Sequence, residues 1–444
     1  MAARWTATAR PVSDVFAWVL VLAACAQAPE PAPVAETRQP PADLVLVLIN
    51  GMRADQPGIP GPAAAFFATL GRPAAVSYDR AITQSVNSYA SVVSLLTGRY
   101  PTAIPLCSWG LGATVAPWCV AIPEAAPTLP EVLGVYGYDT ALIDVSSGMR
   151  EHDFLVSEFG SAYTFADDAA TWWSAHEAHP RLLVYLSDLT LPLAAAVPAA
   201  RATGGDLAAT LQAAYSTRLS SEASAVKTLL DRALSPGPRP AWAFVTSAHG
   251  LVLGETTGTP SLPVDPVQHD VILERTIHVP LAIYSSARSE PRRESAVVEL
   301  LDLAPTFCRL GNAMPPAGLY GRELLSTKPD PTRIAYAEFG DMIAARSASH
   351  LLLARLWKHG GSTLDPEITE RLLTAPPSSS SFSLHNVETD PMQTTERLLT
   401  EPAEALRLYQ HMVEVRQGAG APPDRGLTTE QVKALRETGA LNYF

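Results

Sequence analysis

Reactive side chains are sparse in this chain of 444 residues, and its four cysteines are the easiest to read. Cys25 closes the run Leu22-Ala23-Ala24-Cys25, with two small residues just before the thiol. Cys107 and Cys119 are close enough in sequence to close a short loop as a disulfide, provided the chain enters an oxidising compartment. Cys308 sits in an apolar helical pattern and reads as a buried thiol. No Cys-x-x-Cys and no His-rich pair points to zinc.

The compartment is set by the N-terminus. Arg4 and Arg10 precede an apolar run from Val15 to Ala24, too short to span a bilayer as a helix but suited to the hydrophobic segment of an export signal. Its end resembles the bacterial lipobox, in which the cysteine receives a diacylglycerol and becomes the first residue of the mature protein. Residues 1–25 are therefore read as a lipoprotein signal peptide with Cys25 as the lipidation site. The Pro- and Ala-rich stretch 26–42 is an extended tether, because it carries too little apolar surface to pack. The expectation is a protein held by lipidated Cys25 on the cell envelope. Ala26 after the cysteine favours the outer membrane, facing the periplasm or the exterior.

The rest of the chain is composed like a globular protein, 47% hydrophobic and 17% charged. A net charge of -12 and an isoelectric point near 5.3 argue against a nucleic-acid partner, since phosphate neutralisation takes clustered Lys and Arg. Asp43 to Asn50 (DLVLVLIN) is a continuous apolar run, the mark of a strand buried on both faces of a parallel sheet. Similar runs recur at Thr140 to Val145, Leu182 to Ser187, Ala241 to Ser247 and Val279 to Ser285. Helical patterns separate them at Thr128 to Val135, Ala169 to Ala178 and Leu207 to Leu234. This alternation predicts an α/β fold, a three-layer α/β/α sandwich with a mostly parallel central sheet over 43–325 and its sites at the carboxyl ends of the strands. Short strands at Ile334 to Glu338 and His350 to Leu356, a loop at Pro376 to Ser381 and terminal helices predict a smaller α+β subdomain over 326–444.

Four stretches in order resemble sulfatases of the alkaline-phosphatase-like superfamily: LVLVLINGMRADQPG from Leu44, YDRAITQSVNSYASVVSLLTGRYPT from Tyr78, AFVTSAHGLVLGE from Ala243, and ILERTIHVPLAIY from Ile272. Weaker echoes start at Thr128, Leu300 and Leu384, so the resemblance spans nearly the whole mature chain. It implies a catalytic site at Ser88, His249 and His269, with Gln268 at the strict register of the last. It also implies a calcium ion near Asn50 and His249, and a substrate contact at Thr190. Aligned on Leu95-Leu96-Thr97-Gly98, Ser88 takes the place of the residue that sulfatases oxidise to formylglycine. Helix N-cap is the competing reading of Ser88, because Ser accepts backbone N–H bonds well there.

This sequence departs from the family at the residues that meet metal and substrate. The first strand ends in Asn50-Gly51 where sulfatases place carboxylates, and the later strand ends in Ser247-Ala248-His249-Gly250 where they have Ser-Asp-His-Gly. Ala90 and Val92 stand where the maturation signal has Pro or Ala and then Arg, and Asp188-Leu189-Thr190 stands for Asp-Pro-His. Calcium is a hard cation that takes six or more oxygen ligands, several of them anionic, so no resident cofactor is expected here; calcium or another divalent ion would be required only if the enzyme were active. Asp55 and Asp302, which match the family, read as fold-keeping residues, Asp302 as a helix N-cap. The expected protein is a catalytically impaired sulfatase homologue that binds an envelope glycan or protein. The alternative is an active sulfate- or phosphate-ester hydrolase using Ser88 with an atypical metal site.

Overall fold

The computed structural model describes residues 40–54, 62–104, 107–108, 118–119, 122, 126–146, 153–202, 206–253, 267–268, 271–287, 290–340, 342–355, 372 and 381–418. Cys25, Asp55 and His269 lie outside them, as does most of the loop expected at Pro376 to Ser381.

The described strands, in chain order, are β1 (Asp43–Asn50), β2 (Val76–Ile82), β3 (Cys107–Ser108), β4 (Trp118–Cys119), β5 (Asp139–Asp144), β6 (Ser161–Tyr163), β7 (Arg181–Asp188), β8 (Ala241–Thr246), β9 (Val252–Leu253), β10 (Val267–Gln268), β11 (His278–Ser285), β12 (Arg292–Glu299), β13 (Ala335–Phe339), β14 (Met342–Arg346), β15 (His350–Arg355) and β16 (Phe382–Asn386). Eight of them form the central sheet in the order β12-β2-β11-β8-β1-β7-β5-β6. Its pairs are parallel except those β11 makes with β2 and β8.

β1 is buried along its whole length because both of its faces are covered. Leu44, Leu46 and Leu48 point into a core shared with Val92 and Leu95 of the helix Ser88–Thr97 and Phe307 of the helix Leu303–Leu310. Val45, Val47 and Ile49 point the other way, against Phe66, Trp172, Leu211 and Tyr215. Period-two alternation with apolar residues at every position is what a strand between two helical layers needs. The three-layer α/β/α architecture is thus built into one octapeptide. Cys308 is buried in the first core, and burial pushes its thiol up to about 11, so it is an inert packing residue.

β13, β14, β15 and β16 form a separate antiparallel sheet that packs on the helix Pro402–Gly418 through Leu352, Leu408 and Met412. Two buried ionic knots tie this C-terminal sheet to the larger one. Arg333 donates to Glu299 and to both oxygens of Asp302, and Tyr100 also donates to Glu299. Arg416 donates to Glu338, which also accepts from Tyr336 and from the backbone of Thr102. Asp302 stands at the N-cap of the helix Leu303–Leu310 as expected, but its carboxylate makes no cap bond there and instead accepts from Arg333, Arg322 N and Glu299 N.

Candidate functional site

Three strands of the central sheet and one helix bring their ends together. Asn50 at the end of β1 is in register with Asp188 at the end of β7, and Leu48 of β1 pairs with Thr246 of β8. Two backbone bonds draw the following turns in: Gly51 N donates to His249 O at 2.9 Å, and Leu189 N donates to Asn50 O at 3.0 Å. The helix Ser88–Thr97 points its amino end at the same place.

Ser88 is the first residue of that helix, and the cap is its neighbour. Asn87 has extended backbone and its Oδ1 accepts from Ala90 N at 2.9 Å, so the N-cap reading of Ser88 is corrected by one residue. Released from capping, the Ser88 hydroxyl turns to His249, with Oγ 2.8 Å from Nε2. The other ring nitrogen, Nδ1, lies 2.8 Å from Gly250 O. A carbonyl can only accept, so Nδ1 carries the proton and Nε2 presents its lone pair to the Ser88 O–H. Gly250 is what allows this. A Cβ on it would fall 2.1 Å from Arg275 O, and its N–H donates to Thr276 O.

Next to this pair stand the residues at which the resemblance implies a metal ion. Gly51 adopts φ +86°, and a Cβ there would fall 2.6 Å from Leu251 Cδ2 and 3.5 Å from Thr190 Oγ1. Leu251, fully buried, is therefore the side chain that a Cβ at position 51 would meet first. Ala248 is also fully buried and has no donor to offer. Asp188 is the nearest carboxylate by register, and it is engaged in accepting from Thr190 N at 2.6 Å. What remains is neutral. Asn50 Oδ1 and Nδ2 and Thr190 Oγ1 are buried without a hydrogen-bond partner among the described residues. Two neutral oxygens fall far short of what calcium takes, and no group of three His, Cys, Asp or Glu among the described residues could hold a metal ion. The described residues do not fit the ion.

Val92, where the maturation signal has its Arg, is fully buried against Leu95 and Leu96 in the core. Ser88, His249, Asn50 and Thr190 are thus brought to one strand-end layer. Gln268 lies in β10, paired with Val252 of β9, and that pairing is all the structure gives of it. The sequence reading missed Asn87 and Leu251. A Ser/Thr/Asn residue just before an apolar helix could have flagged the first. Nothing local could have flagged the second, because its partner is Gly51.

Solved structures with this fold include BT1596, a 2-O GAG sulfatase (14% identical, covering 86% of this chain and 93% of that one, TM-score 0.60). BT4656, solved with D-glucosamine-2-N,6-O-disulfate as its substrate, is 12% identical over 87% of this chain and 100% of its own, TM-score 0.61. The phosphonate monoester hydrolase of Agrobacterium radiobacter is 13% identical over 88% and 98%, TM-score 0.59. No family description and no curated protein sequence matches this chain. The chain therefore has the alkaline-phosphatase-like fold in the form that sulfatases use.

Proposed function

We propose that this protein is a sulfatase homologue that does not turn over sulfate esters and acts by binding, as a lipoprotein of the cell envelope. The observation that carries the reading is the neutral set at the strand ends: Asn50 and Thr190 offer buried, uncharged polar atoms, and Gly51 and Ala248 offer no carboxylate. Without a divalent ion, nothing at Asn50, Ala248 or His249 neutralises the charge of a transferring sulfuryl or phosphoryl group. A cavity of about 770 Å³, within the usual range for small-ligand sites, supports the binding role. It opens beside β2 and β11 and is lined by Asp79, Arg80, Glu274, His278, Arg293 and Arg346, among others. Burial alone would raise the carboxyl of Glu274, but Arg346 and His278 outweigh it and hold the group at about 2, so a charged floor faces any ligand. The partner proposed for it is an envelope glycan or protein. The exported chain from Ala26, supplied with calcium or magnesium, is expected to show no hydrolysis of aryl sulfates or aryl phosphates above background. Calcium-dependent turnover abolished by Ser88→Ala would instead establish the active hydrolase with an atypical metal site.

The envelope location rests on the Leu22-Ala23-Ala24-Cys25 sequence and the tether after it. A disulfide between Cys107 and Cys119 is supported by the backbone ladder of β3 and β4, which sets the two residues opposite each other. One measurement addresses both proposals: the intact mass of protein extracted from membranes under alkylating conditions. It is expected to carry a diacylglycerol adduct that Cys25→Ser removes, and to leave two thiols unalkylated until reduction. A lipid-free mass would refute the anchor, and immediate alkylation of Cys107 and Cys119 would refute the disulfide.

A further inference from the structure

The loss of metal leaves one piece of chemistry in the site, and it is of a different kind. We infer that Ser88 and His249 form a metal-independent nucleophile and base that accepts an acyl group from a neutral carboxylic ester. The inference rests on the metal-free reading of the site given above. In a metal-loaded site the positive charge activates the nucleophile. Here the Ser88 hydroxyl lies 2.8 Å from a ring nitrogen whose tautomer is fixed from behind by Gly250 O. A serine, a base within hydrogen-bond reach and a third group orienting the base are the parts of nucleophilic catalysis without a metal. Ser88 keeps 5% of its surface accessible and His249 keeps none, so the nucleophile is reached before the base.

Charge decides the substrate class. A sulfate or phosphate monoester brings a negative charge, and Asn50, Gly51, Thr190 and Ala248 offer no cation to meet it. A carboxylic ester arrives neutral and develops one negative charge, on a single oxygen, in the transition state. Hydrogen-bond donors can carry that much. The first turn of the helix Ser88–Thr97, whose Ala90 N–H is already taken by the Asn87 cap, turns the positive end of the helix dipole towards Ser88. Asn50, next to the residue bonded to His249, has a buried Nδ2 without a partner. Leaving such a donor unmet costs about 1–3 kcal/mol, which an arriving oxygen would recover.

The steps balance without a further reactant. Ser88 Oγ bonds to the acyl carbon while its proton passes to His249 Nε2, and the carbonyl electron pair moves onto oxygen. Collapse breaks the bond from carbon to the leaving oxygen, which takes the proton from Nε2, and leaves acyl-Ser88. Water, deprotonated by the same nitrogen, then releases the carboxylic acid and restores the hydroxyl.

The test uses the exported chain from Ala26 to Phe444, kept in EDTA and treated with a fluorophosphonate probe, which is neutral and needs no metal. The probe is expected to attach to Ser88, as mapped by peptide mass, and EDTA is expected to leave the rate unchanged. His249→Asn, checked for native near-ultraviolet circular dichroism, is expected to slow labelling by about a hundredfold or more, the usual worth of a positioned base. Folded wild-type protein that stays unlabelled at Ser88 would overturn the inference, and so would labelling that His249→Asn leaves unchanged. Neither result alters the metal-free reading, which only bound calcium would contradict.

Discussion

Arg333→Ala is expected to lower the stability of the folded chain by about 3–5 kcal/mol, the usual cost of stranding a buried charge by removing its partner. The side chains of Glu299 and Asp302 are 3% and 0% exposed, and the Arg333 guanidinium bridges them at 2.6 to 2.9 Å. Deleting it leaves two carboxylates facing each other with no cation. The effect should depend on pH, with a sign that can be worked out. Burial holds the Glu299 carboxyl above its usual value of 4.5, Arg333 pulls it down and Asp302 pushes it up. The folded state therefore binds that proton more tightly than the unfolded state, and stability falls as pH rises above about 4.5. Without Arg333 the downward pull is gone, the carboxyl rises further, and the fall extends to higher pH and is larger in total. Urea midpoints of the variant and the parent are expected to converge at pH 5 and separate at pH 8. A constant gap would show that the loss is one of packing rather than of charge.

The second large effect is expected from rebuilding the metal site. Asn50→Asp with Ala248→Asp places carboxylates at two fully buried positions, one of them in register with Asp188. With no cation present the cost is several kcal/mol, because neither new charge has a partner. Calcium is expected to return part of that stability, by binding the folded state alone. The recovery should be small while Leu251 blocks position 51, and larger when Leu251→Ala is added. Hydrolysis of sulfate esters is not expected to return, since Val92 and Thr190 still leave nucleophile and sulfate unsupported. Thermal midpoints of the double variant with and without calcium check this. A double variant as stable as the parent in EDTA would show that the pocket is more polar than its described side chains.

The parts of this fold that the sequence discloses are those whose burial is complete. β1, β5, β7, β8 and β11 read as apolar runs because helices cover both of their faces. β2 (VSYDRAI) and β12 (RRESAVVE) escaped the sequence reading because charged residues interrupt them and partly exposed positions alternate with buried ones. Their place in the sheet comes from pairing with each other and, for β2, with distant β11. The site was legible as a set of positions: Asn50, Ser88, Thr190 and His249 do meet. Its state was not. The bond from Ser88 to His249 goes with Asn87 taking the cap, and the contact at Gly51 is made by Leu251 from across the fold. Neither contact leaves a local pattern.

Calcium titration of the unaltered protein, from Ala26 to Phe444 after treatment with EDTA, tests the proposed loss of the metal site most directly. Calorimetry at neutral pH is expected to show no saturable heat at millimolar calcium and no rise in thermal midpoint. Stoichiometric binding that Asn50→Ala abolishes would contradict the account.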